Sequence, residues 1–88
     1  MQSFLILASI LDGKNPVSYL LELCRSKRWP EPVYGVVSET GPDHMKSFLM
    51  NLTLNGVVYQ PVAPSQNKKL AKASASLHCL KILGYVKT

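Results

Sequence analysis

Eighty-eight residues can build one domain, and a chain this short must commit most of its apolar positions to one core. An apolar fraction of 47% supplies that core and excludes a disordered chain. Ten Lys and Arg against five Asp and Glu leave a formal charge of +5, which points to an anionic partner.

In chain order, Phe4, Leu7, Ala8 and Leu11 recur at helical spacing in an apolar lead. Such a short helix does not persist alone, so residues 1–14 are expected to form an extension that docks on the rest of the chain. The lead is far too short to span a bilayer and lacks the flanks of a signal peptide. Asp12-Gly13-Lys14 breaks it. Asn15 then caps a helix that opens with Pro16, and Val17, Leu20, Leu21 and Cys24 form its apolar stripe. Trp29-Pro30-Glu31-Pro32 stops it.

Val33 to Ser38 reads as a first strand and Gly41-Pro42-Asp43 as a turn. From Phe48 apolar residues alternate through Met50, Leu52 and Leu54, the pattern of a half-buried strand. Asn55-Gly56 predicts a two-residue hairpin, with Val57 to Gln60 as the returning strand. After a loop, Asn67 caps a second helix running to about Leu83, with Gly84 at its stop. Ala71, Ala75, Cys79 and Ile82 are expected to face the core. Leu70, Leu77 and Leu80, with Ala73, form a second apolar stripe that needs a cover, supplied by the N-terminal extension, by a protein partner or by self-association. The fold class is therefore α+β: an α-β-β-β-α sandwich, a three-stranded antiparallel sheet with two helices packed on one face. Residues 15–84 form the domain and 85–88 a tail.

Nothing in this pattern supports chemistry. His44 and His78 lack a carboxylate or cysteine set at metal spacing, and Cys24 and Cys79 stand alone on apolar helix faces. No nucleophile with a base, paired acids or phosphate-cradling glycine loop occurs, so no catalytic residue, metal, cofactor or small-molecule substrate is expected. The expected compartment is intracellular and reducing, the nucleus ahead of the cytoplasm.

Over residues 15–84 the sequence resembles the double-stranded RNA-binding domain family. The resemblance is carried by Asn15-Pro16-Val17 with Leu20 and Glu22, by Tyr34, by Glu39-Thr40-Gly41-Pro42-Asp43-His44, by Phe48, and by Lys68-Lys69-Leu70-Ala71-Lys72 with Ala75. It implies three contact regions on duplex RNA. The first is the exposed face of the first helix, Ser18 and Glu22, in a minor groove where a carboxylate can accept a hydrogen bond from a ribose 2′-OH. The second is the turn of Gly41, Pro42 and His44, entering a second minor groove. The third is Lys68, Lys69 and Lys72, which share one helix face beside the positive end of the helix dipole, a setting suited to phosphate. Three departures from the family stand out: Ala63-Pro64-Ser65 occupies a loop that usually carries glycines, Asn67 stands where serine is common, and Leu70, Leu77 and Leu80 with Ala73 add the second apolar stripe. The competing function is a protein-interaction or dimerisation module on the same fold; the retained lysines and turn histidine favour RNA.

Overall fold

The computed structural model describes residues 15–86. The expected docked helix at residues 4–11 lies outside them. Helix α1 (Pro16–Lys27) is followed by strands β1 (Val33–Thr40), β2 (Ser47–Leu54) and β3 (Val57–Tyr59) and by helix α2 (Lys68–Ile82). The strands form an antiparallel sheet with β2 in the centre. No described helix is long and apolar enough to cross a membrane.

Each boundary has a local cause. The Asn15 side chain accepts from the Ser18 amide at 2.9 Å and the Asn67 side chain from the Leu70 amide at 2.8 Å, satisfying amides that a helix start leaves unpaired. Both helices end in the same motif. Trp29 and Arg28 amides return to the Cys24 and Arg25 carbonyls, and Tyr85 and Gly84 amides to the Leu80 and Lys81 carbonyls. The motif needs a left-handed residue, supplied by Arg28 at φ 59 and Gly84 at φ 87. The hairpin forms as expected: Asn55 and Gly56 both take positive φ, which matches the twist of β2 and β3.

Met50, Leu52 and Leu54 on the inner face of β2 are buried, and Leu52 and Leu54 pack with Tyr59 against Leu20, Cys24, Ala75, Cys79 and Leu80. Two expectations about helix faces are corrected. Leu80 is fully buried and Leu77 packs on the core, so of the supposed second stripe only Leu70 is exposed. Because α2 contacts both the sheet and α1, its buried arc covers Ala71, Ala75, Ser76, Cys79 and Leu80, about half the helix circumference. Burying a leucine is worth about 2 kcal/mol, so Leu80 is drawn inward. Ile82, expected to face the core, is 59% exposed at the helix end. On α1 the buried direction runs through Leu20 and Cys24 with Tyr19 and Leu23 packed beside them, while Val17 and Leu21 are half-buried flanks. The packed unit reaches Val86, which is 2% exposed, so Tyr85 and Val86 belong with the core although they were expected in the tail.

Candidate nucleic-acid interface

Ser18 and Glu22 are both exposed on α1, opposite Leu20. Ser18 is tied into the helix start through its amide, which donates to the Asn15 side chain. The capped first turn thus sets where this face begins.

The β1–β2 turn is shaped by Gly41 and by a clamp on Lys46. Gly41 has φ 93, and a Cβ there would lie 2.5 Å from the Met45 carbonyl oxygen, so only glycine lets the chain double back this tightly. The Met45 amide donates to the Pro42 carbonyl at 2.9 Å and closes the turn. Beneath it, Lys46 Nζ donates to Glu39 Oε2 at 2.9 Å and lies 3.9 Å from Asp43 Oδ1. The Lys46 hydrogen bond and charge hold the Glu39 carboxyl below its ordinary range, and Lys68 adds a smaller pull in the same direction. Lys46 is thereby neutralised within the turn. His44 and Met45 remain exposed at its tip.

The third region is built on the core-facing side of α2. At about 100° per residue, Lys68 and Lys72 fall within the arc that Ala75, Ser76 and Cys79 bury further along the helix. The helix N-terminus therefore carries its lysines past the packed part of that face, toward aromatic side chains of the sheet. Lys72 Nζ lies 4.7 Å from the centroid of the Tyr34 ring, and Lys68 Nζ 5.9 Å from that of Phe48. Tyr34 pairs with Leu52 across the sheet and so points to the helix layer, where its hydroxyl meets Ser76 Oγ at 2.6 Å. Ser76 spends its own proton on the Lys72 carbonyl at 3.0 Å, so the Tyr34 hydroxyl is the donor of the pair. Burial pushes that phenol above its usual pKa, with the Ser76 hydrogen bond opposing.

The second and third regions are joined. Phe48 and Ser65 exchange two backbone hydrogen bonds, at 2.7 and 2.8 Å, which pin the loop before α2 to the start of β2. Between turn and loop lies an open hollow of about 560 Å³ lined by His44, Lys46, Phe48 and Gln66 among others.

The structure thus puts Gly41, Pro42 and His44 in one turn and Lys68, Lys69 and Lys72 on one helix end, with Phe48 and Ser65 between them; Ser18 and Glu22 form a separate face on α1. Residue patterns did not reveal the roles of Tyr34, Ser76 and Lys46. Ser76 stands four residues after Lys72, a spacing that permits the hydroxyl-to-carbonyl bond, and this was the one signal available. Among the described residues no group of three or more His, Cys, Asp or Glu could hold a metal ion.

A family model described as "Double-stranded RNA binding motif" matches residues 16–83. Protein Son of Drosophila melanogaster is 39% identical over 75 residues, 85% of this chain and 9% of that protein. The double-stranded RNA-binding protein Staufen homolog of Aplysia californica is 35% identical over 75 residues, 85% of this chain and 8% of that protein. The chain therefore spans under a tenth of the length of these relatives. Among solved structures, Arabidopsis HYL1 is similar with a TM-score of 0.72 and 33% identity, covering 80% of this chain and 97% of that one. The dsRBD of human tRNA dihydrouridine synthase matches with a TM-score of 0.71 and 32% identity, covering 81% of this chain and 72% of that one.

Proposed function

The chain belongs to the double-stranded RNA binding motif family, and we propose that it binds duplex RNA by shape and backbone charge, as a non-catalytic module of a larger RNA-associated protein. The observation that carries this reading is the lysine trio at the start of α2. Cations in a helix's first turn are disfavoured by the dipole, so Lys68 and Lys69 there, with Lys72 one turn on, destabilise the free domain and become favourable when a polyanion arrives. In this reading Lys68, Lys69 and Lys72 meet phosphates across a major groove. Ser18 and Glu22 meet 2′-hydroxyls in one minor groove, and the Gly41, Pro42 and His44 turn enters the next. Glu22 adds discrimination rather than attraction, since a DNA duplex offers no 2′-hydroxyl. The competing reading is a protein-interaction or dimerisation module; of the leucines offered as a surface for it, Leu80 and Leu77 are engaged in the core.

The test is a titration of the 88-residue chain against duplex RNA of about 16 base pairs or longer, duplex DNA and single strands, at stepped salt. Duplex RNA is expected to bind tightest, with little dependence on its sequence. The triple variant Lys68→Ala, Lys69→Ala, Lys72→Ala should lower the salt slope by roughly three units. Glu22→Ala should narrow the preference for RNA over DNA at nearly constant slope. Equal affinity of the wild type for duplex DNA would remove the reading.

A further inference from the structure

The strongest lysine–ring contact among the described residues is the one at Lys72, at 4.7 Å, against 5.9 Å for Lys68 over Phe48 and 6.0 Å for Lys27 over Tyr85. It is also the one whose ring is locked. The Tyr34 hydroxyl donates to Ser76 Oγ at 2.6 Å, and Ser76 donates to the carbonyl of Lys72 itself at 3.0 Å. The contacts close a circuit from the Lys72 ammonium to the Tyr34 ring, to Ser76 and back to the Lys72 backbone. We infer that Tyr34 is a positioning residue for the RNA site, presetting the Lys72 ammonium for a phosphate before RNA arrives; the inference rests on the binding mode proposed above.

The physical reasons are three. A lysine side chain has four rotatable carbons, and ordering them on binding costs affinity. An ammonium over a ring face is held by the ring's negative charge distribution, so much of that ordering has already occurred in the free domain. The ring takes only one side of the ammonium, and with three N–H donors Lys72 keeps others for a phosphate oxygen. Tyr34 suits the task because its strand position, opposite the fully buried Leu52, aims it at the helix layer, and its hydroxyl is pinned so the ring does not swing away. Lys72 is correspondingly half-buried, while Lys68 and Lys69 are exposed.

A residue that acts through Lys72 has no effect once Lys72 is gone, whereas a residue that merely supports the fold does. The experiment is a double-mutant cycle on the 88-residue chain with an RNA duplex as probe: wild type, Tyr34→Leu, Lys72→Ala and the double variant, with Tyr34→Phe as the conservative control. Tyr34→Leu is expected to weaken binding by about twofold to fivefold, the range for a partly exposed cation–π contact. In the Lys72→Ala background it should have no further effect, and Tyr34→Phe should stay within about twofold of wild type because the ring remains. In the free protein the Lys72 ε-methylene protons should show an upfield ring-current shift in wild type and Tyr34→Phe that disappears in Tyr34→Leu. If Tyr34→Leu does not fold, Tyr34→Met, which refills most of the volume, carries the same comparison. Equal losses in both backgrounds, or an unshifted Lys72 in the wild type, would overturn the inference while leaving RNA binding intact. A wild type that ignores the duplex overturns the binding mode and this inference together.

Discussion

Two glycines in left-handed conformations allow the turn geometry to be tested with an internal control. Gly41 (φ 93) and Gly56 (φ 79) both sit in exposed two-strand turns, but a Cβ at Gly56 meets nothing within 4 Å, while one at Gly41 meets the Met45 carbonyl oxygen at 2.5 Å. Alanine at Gly56 therefore carries backbone strain alone, about 1–2 kcal/mol. Alanine at Gly41 carries the same strain and must also displace a backbone carbonyl. That movement strains the turn and threatens the 2.9 Å hydrogen bond from Met45 to Pro42, adding about 1 kcal/mol. For a domain of this size 1 kcal/mol corresponds to roughly 4–8 °C, so Gly56→Ala should lower Tm by about 4–16 °C and Gly41→Ala by a further 4–8 °C or so. Urea denaturation with duplex-RNA titration at one salt concentration provides the second reading. Gly41→Ala should weaken RNA binding as its turn opens, and Gly56→Ala, at the far end of β2, should not. Equal destabilisation, or the reverse order, would refute the argument that the 2.5 Å approach makes Gly41 irreplaceable.

Three further outcomes follow from the same geometry. Lys46→Met should return the Glu39 carboxyl toward its ordinary value near 4.5, visible by NMR titration of that side chain. Because the folded pKa is depressed, the stabilisation from this pair is present above the ordinary value and lost as pH falls through the folded one, so the variant should flatten the acid limb of the stability curve. Cys24 and Cys79 are fully buried, burial raises both thiols, Cys79 to about 12, and disulfide reagents should label neither until denaturant is added. Ser76→Ala leaves the Tyr34 hydroxyl and the Lys72 carbonyl without their shared partner and should cost about 1–2 kcal/mol in urea unfolding.

The order and limits of the elements were legible in the chain because local chemistry dictates them. Asn15 with Pro16 and Asn67 cap the helices, Asn55-Gly56 forces the hairpin, and the alternation from Phe48 to Leu54 sets which side of β2 is buried. The candidate contact residues came instead from the family resemblance. Of these, Ser18, Glu22, His44, Lys68 and Lys69 are exposed. What lay beyond the sequence was how two helices share one sheet. A helix with a single packing partner buries one stripe, whereas α2 packs on both the sheet and α1, so its buried arc takes in Leu80 and dissolves the second apolar stripe that was expected to need a cover. The lysine setting depended on the same docking. Lys72 and Tyr34 are 38 positions apart in the chain, and only the docking of α2 on the sheet brings the ammonium over the ring and the hydroxyl onto Ser76. Periodicity registers which residues share a face of one element; the distance between faces of two elements is decided by the packing of everything between them.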